Sequence, residues 1–179
     1  MKLLERIGII DIGSNSIRLV VFDGPRRSPL YLFNEKVFFK LGMKSFGGRS
    51  FDSKTLKSVT SIVNRFVKIC QNMEVNKIIM FGTSALRAAK NSSSLVKLIR
   101  KETNIVIDII SGEKEACYAA KGILLGFPDA EGIICDLGGN SVEFANIQNS
   151  TIKDCKSALL GPLAIKKLER KVNNLTDHM

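Results

Sequence analysis

The fold class predicted by this sequence of 179 residues is α/β, and three observations carry that expectation. Short apolar runs such as Ile78-Ile79-Met80-Phe81 have the length and continuity of strands buried on both faces. From Ser53 onward, Leu56, Val59, Ile62, Val63, Phe66, Val67 and Cys70 recur at spacings of three and four, the mark of a helix lying on a sheet. A strand, glycine turn and strand near the N-terminus also returns about 125 residues later, so the chain holds two similar lobes.

In chain order, Arg6 to Asp11 is a strand, Gly13-Ser14-Asn15-Ser16 a turn, and Ile17 to Asp23 the returning strand of a hairpin. Leu30 to Leu41 alternates as a third strand, and the three glycines between Gly42 and Asp52 predict a loop. The amphipathic helix follows and ends near Asn72; Asn76 to Gly82 is a strand. Thr83 or Ser84 can cap a short helix to Ala89, and Ser92 or Ser93 another to Thr103. Ile105 to Ile110 is a strand, and Ser111 caps a helix to about Leu125 whose first turn carries Glu113 and Glu115, where the helix dipole favours acids. Ile133 to Phe144 then repeats the first hairpin, Ile152 to Ala158 supplies another strand, and Pro162 opens a helix to Val172. The boundaries that follow are 1–125 for the first lobe and 126–179 for the start of a second.

Composition excludes several classes. With 45% hydrophobic and 25% charged residues the chain can bury a core and is not disordered. No apolar run reaches the roughly 18–20 residues of a bilayer crossing, and the start resembles no signal peptide, so a cytoplasmic protein is expected. The net charge of +10 is local: residues 24–101 hold 16 bases and 3 acids, whereas 102–179 hold 8 bases and 11 acids. Such a field suits a polyanion or is simply a solvated lysine-rich surface. Nucleic acid finds no recognition motif and few aromatic residues. Cys70, Cys117, Cys135 and Cys155 form no C-x-x-C pair and are read as reduced thiols, with Cys70 and Cys135 in the core. The lone His178, at the end of the chain, completes neither a zinc site nor a triad.

The chemistry lies in the repeated turns. Small residues between two strands let backbone N–H groups converge on an anion, and phosphate fits such a nest. Asp11 and Asp136 each precede one turn, and a carboxylate beside phosphate calls for Mg²⁺ or a metal-bound water between them. One such turn is equally an ordinary hairpin loop; two in matched contexts favour a phosphate clamp. Gly42-Met43-Lys44-Ser45 lacks the upstream glycines of a P-loop, and no dinucleotide fingerprint follows a strand.

Four segments together closely resemble the exopolyphosphatase and guanosine pentaphosphate phosphohydrolase (Ppx/GppA) family: Ile10 to Ser16, Gly82 to Arg87, Ile110 to Ala116, and Cys135 to Ser141. The resemblance implies an actin/sugar-kinase-like (ribonuclease H-like) fold, each lobe a five-stranded mixed sheet with flanking helices, the second lobe truncated here. It implies hydrolysis of a terminal phosphoanhydride of inorganic polyphosphate or guanosine pentaphosphate (pppGpp). Glu115 would activate the attacking water, while Gly13, Ser14, Asn15, Ser16, Arg87, Gly138, Gly139, Asn140 and Ser141 would bind phosphate and Asp11, Asp136 and Glu143 would hold Mg²⁺. Three departures stand out: Asn140 replaces a usual glycine, Cys117 replaces a usual arginine, and the chain is short for the family. They motivate the alternative of a non-catalytic phosphate or polyphosphate-binding module. The small second lobe is expected either to be loosely ordered or to pair its strand edges in a symmetric homodimer.

Overall fold

The computed structural model describes residues 5–25, 29–166 and 169, and these fall into two compact units divided between Ile110 and Ser111. In the first unit, β1 (Ile7–Ile12), β2 (Ser16–Phe22), β3 (Tyr31–Phe38), β4 (Lys77–Gly82) and β5 (Ile107–Ile109) form one sheet in the order β3-β2-β1-β4-β5. β1, β2 and β3 run antiparallel as a meander, and β4 and β5 join parallel to β1. This is the five-stranded mixed sheet of the expected actin-like lobe. Strand alternation puts Ile10, Ile12, Ile17, Leu19 and Val21 on one face, all fully buried.

That face is covered by α2 (Ser53–Asn72) and α4 (Ser92–Thr103). Asp52 caps α2 by accepting the Thr55 N–H at 2.6 Å, and Val59, Val63, Phe66, Val67 and Cys70 form its buried stripe. Burial pushes the Cys70 thiol up to about 11, so it stays protonated and inert. α4 contributes Leu95 and Ile99 and ends on left-handed Asn104. Its N-cap is Asn91 rather than Ser92 or Ser93, and the Asn91 side chain instead bonds the Phe51 N–H and C=O at 2.7 and 2.9 Å. α3 (Ser84–Ala88) follows β4 directly. The expected loop after β3 begins with a short helix, α1 (Leu41–Ser45), whose Leu41, Gly42 and Ser45 are buried. Tertiary packing outweighs the loop propensity of the neighbouring glycines there.

The second unit contains α5 (Gly112–Gly126), β6 (Gly132–Leu137), β7 (Val142–Gln148) and β8 (Thr151–Ala158), followed by helical residues 162–166. Its strands form an antiparallel meander in the order β6-β7-β8. Ser111 caps α5 through the Lys114 N–H. The motif order alone puts the boundary after Leu125; α5 instead belongs with β6–β8, because Ala120 packs with Ala145 and Ile147 into their own small core. The remainder of the helix expected to Val172, including Leu168, lies outside the described residues apart from position 169, as does His178.

Two thiol expectations change. Cys117 on α5 and Cys155 on β8 are joined as a disulfide, with Cα atoms 5.7 Å apart. Cys135 is exposed rather than in the core, because its face of β6 carries no covering helix among the described residues. No helix among the described residues is long and apolar enough to cross a membrane.

Candidate functional site

Each unit carries one glycine turn at the end of its first strand. In the first, the Gly13 N–H donates to Ser16 O at 3.0 Å, closing the link between β1 and β2. A side chain on Gly13 would bring its Cβ to 3.1 Å from Ser16 O and 3.8 Å from both carboxylate oxygens of Asp11, so glycine keeps the space beside that carboxylate open. Ser14 is buried, its hydroxyl 2.5 Å from that of Ser84. Ser84 opens α3 inside the Gly-Thr-Ser segment, and its support of the turn is a role that the motif did not reveal. Arg87, on the same short helix, donates from Nη1 to Ile110 O at 2.9 Å, which fixes the guanidinium at the end of β5.

The second turn repeats the first. The Gly138 N–H donates to Ser141 O at 2.9 Å, and a Cβ on Gly138 would stand 3.1 Å from Ser141 O and 3.6 Å from Glu143 Oε2. Asn140 and Ser141 are buried, and Asn140 lies outside the left-handed region, so it occupies its place without the backbone a glycine would permit.

The charges differ. In the first unit Asp11 stands opposite Arg18 in the β1–β2 register, acid against base. In the second, Asp136 stands opposite Glu143, two carboxylates as cross-strand partners on one face. Glu143 is 1% exposed, and its Oε1 accepts the Ser157 hydroxyl at 2.9 Å, a support from β8 that has no counterpart in the motif. Like charges so placed repel, and a hard divalent cation against them would relieve the repulsion. An all-oxygen donor set beside an open glycine turn is what Mg²⁺ prefers. Among the described residues no group of three or more His, Cys, Asp or Glu side chains is placed to hold a metal ion.

The face that carries Asp136 and Glu143 also carries Ile134, Ala145 and Ile147, the residues on which α5 packs. Glu115 sits in the first turn of that helix, half-buried, its N–H bonded to Ser111 O. Of the residues predicted for the site, Glu115, Asp136, Gly138, Gly139, Asn140, Ser141 and Glu143 therefore share the second unit, and Asp11, Gly13, Ser14, Asn15, Ser16 and Arg87 share the first. Cys117, two residues beyond Glu115, is bound to β8 and so ties that helix to the sheet.

Comparison with known proteins bears on the family of the chain. Residues 19–179 match the model of the Ppx/GppA phosphatase family. Exopolyphosphatase 1 of Mycobacterium tuberculosis is 27% identical over 169 residues, 93% of this chain and 48% of the relative. A guanosine-5'-triphosphate,3'-diphosphate pyrophosphatase of Vibrio cholerae is 28% identical over 142 residues, 75% of this chain and 27% of the relative. The crystal structure of an exopolyphosphatase from Cytophaga hutchinsonii superposes with a TM-score of 0.83 at 30% identity, over 91% of this chain and 53% of that one. The chain thus spans about half the length of the mycobacterial relative and of the solved structure.

Proposed function

Given that the chain belongs to the Ppx/GppA phosphatase family, we propose that it hydrolyses the terminal phosphoanhydride of inorganic polyphosphate or of pppGpp. One observation carries the reading: Asp136 and Glu143 stand as a carboxylate pair beside the Gly138–Ser141 turn, on the sheet face covered by the helix that bears Glu115. The turn binds the terminal phosphate through backbone N–H groups, and Ser141 and Asn140 border it. Asp136 and Glu143 would hold a Mg²⁺, which supplies charge neutralisation of the phosphate oxygens; Asp11 offers a carboxylate at the first turn in the same way. Glu115 takes the proton of the attacking water at its carboxylate, and Ser111, by capping α5, holds the turn from which Glu115 reaches. Arg87 and the first turn, Gly13 to Ser16, are the phosphate-binding residues of the first unit. The basic segment 24–101 favours a long polyanion over a nucleotide.

The test is phosphate release from polyphosphate and from pppGpp with Mg²⁺, run beside a binding assay on the same sample. Glu115→Gln should lower kcat by roughly 10²–10⁴-fold with binding retained, whereas Glu113→Gln should not. Loss of turnover in Glu113→Gln with an active Glu115→Gln would reject the assignment. The half-length coverage of relatives favours one second reading, a phosphate-binding module without turnover. Binding in the absence of any phosphate release identifies it.

A further inference from the structure

We propose that the segment immediately after the third strand of each unit aims the amide groups of that unit's glycine turn, and that Gly161 is the positioning residue of the second turn. The inference rests on reading the turns as phosphate cradles.

The hydrogen bonds show how the aiming works. In the second unit the carbonyl of Asn140 accepts the Gly161 N–H at 3.1 Å and the carbonyl of Gly139 accepts the Leu163 N–H at 2.9 Å. No peptide bond among the described residues is cis. In a planar trans peptide the C=O of one residue and the N–H of the next point in opposite directions. Drawing the carbonyls of Gly139 and Asn140 toward 161–163 therefore turns the N–H groups of Asn140 and Ser141 away from that segment. An anion-binding turn needs its donors set before the ligand arrives, since donors that must reorient lose part of their electrostatic value.

The first unit repeats the device with different residues. There the carbonyl of Ser14 accepts the Gly42 N–H at 2.7 Å, and the carbonyl of Asn15 accepts the N–H groups of Phe39 and Lys40 at 3.0 and 2.9 Å. The acceptors are again the second and third residues of the turn, and the donors again come from the chain leaving the third strand. The N–H groups of Asn15 and Ser16 are turned away in the same sense. The internal repeat thus extends past the hairpin to its supporting segment, where Leu41-Gly42 in the first unit and Leu160-Gly161 in the second each supply a glycine donor.

Gly161 is singled out by contact. A Cβ there would lie 2.5 Å from Asn140 C, 2.6 Å from Gly139 O and 2.7 Å from Asn140 N. These are backbone atoms of the turn itself, so no side-chain rotation can relieve them. Any larger residue must push the turn away and rotate the peptide planes that Gly161 and Leu163 hold.

The experiment titrates the ¹⁵N-labelled full chain with tripolyphosphate and Mg²⁺, following backbone amide resonances and affinity together. In the parent chain, Asn140 and Ser141 should shift on binding. Gly161→Ala should weaken tripolyphosphate binding about 10–100-fold, since displacements near 1 Å at such sites cost that much. It should remove the Asn140 and Ser141 shifts while leaving those of Asn15 and Ser16, a pattern that general destabilisation would not produce. Gly122→Ala, with nothing within 4 Å of its Cβ, is the control and should bind as the parent does. A folded Gly161→Ala chain with parental affinity and shifts overturns the proposal but leaves the phosphate reading intact. A parent chain that shifts at neither turn overturns both. Should Gly161→Ala fail to fold, an ester in place of the Leu163 amide, which removes the donor to Gly139 O and adds no atom, decides. It is expected to cost about tenfold in affinity, and parental affinity in that folded variant overturns the proposal.

Discussion

The two units share a strand, a glycine turn, a returning strand and a third strand, yet they bury opposite faces of that sheet. In the first unit Ile10, Ile12 and Leu19 face α2 and α4 and are fully buried. The matching positions of the second unit are Cys135, Leu137 and Phe144; Leu137 is 62% exposed, Phe144 38%, and Ile133 beside them 77%. There the other face is covered, by α5, and it is the face with Asp136 and Glu143. The hairpin with its turn is therefore a local construction that forms regardless of which face is buried. Burial decides stability, and the face on which α5 packs is the one that carries exposed Asp136 and buried Glu143.

The comparison is broken most sharply by paired substitutions at one repeat position. Ile12→Ala opens a cavity in a full core and should cost about 2–5 kcal/mol, whereas Leu137→Ala at the equivalent place should fall within about 0.5 kcal/mol of the parent. Denaturant unfolding read by amide resonances from each unit measures both. Equal losses would mean that the exposed face of β6 is covered in solution.

Next in size is reduction of the Cys117–Cys155 disulfide. Among the described residues the apolar cluster between α5 and the strands is small, Ala120, Ala145 and Ile147 with a few half-buried neighbours, so the cross-link between α5 and β8 adds substantially to the stability of this unit. Reduction should destabilise this unit by about 2–4 kcal/mol and leave the first unchanged, as hydrogen exchange of amides in β7 against those in β1 would show. Protection lost equally in both would contradict the division at Ile110.

Thiol labelling sharpens the same contrast. Cys135 should react with iodoacetamide in the native state. Cys70, fully buried and held protonated by its apolar surroundings, should react only on unfolding, and Cys117 and Cys155 only after reduction.

Most of the architecture was legible because it depends on periodicity: the stripe of α2, the alternation of β1 and β2, and the cap at Ser111 are local patterns. What escaped depends on partners distant in sequence. The chain reads as strand to Leu41 and as a glycine loop from Gly42, but the N–H groups of Phe39, Lys40 and Gly42 are held by the Ser14 and Asn15 carbonyls and Leu41–Ser45 folds as α1. Cys135 reads as core because it is apolar and follows two isoleucines; only the position of α5 shows which face is buried. Cys117 and Cys155 carry no spacing signal, and Gly161 is one glycine among 14 until its distance to the Asn140 backbone is known. The turns themselves were legible as a repeat, and the residues that support them, Ser84, Ser157 and Gly161, were not.

The smallest effect concerns an ion pair of the first unit, Arg65 with Glu35. Glu35 on β3 stands opposite Leu19 and, on the face covered by α2, accepts Arg65 Nη1 and Nη2 at 2.9 and 2.5 Å. The register places Lys156 of β8 at the corresponding position opposite Phe144, on the face that α5 leaves bare. The hydrogen bonds from Arg65 hold the Glu35 carboxyl below its ordinary value. A carboxylate with a lowered native pKa adds stability that is fully present above its unfolded value, about pH 4.3, and disappears as pH falls through the native value. Both side chains are partly exposed, at 48% for Arg65 and 31% for Glu35, so solvent screens the pair. Glu35→Gln should therefore cost only about 0.2–1 kcal/mol at neutral pH, and the difference should fade as pH falls below about 4.3 and shrink in molar salt. Lys156→Gln should leave stability unchanged across the same range. A pH-independent loss in Glu35→Gln would assign the contribution to packing against α2 instead of charge.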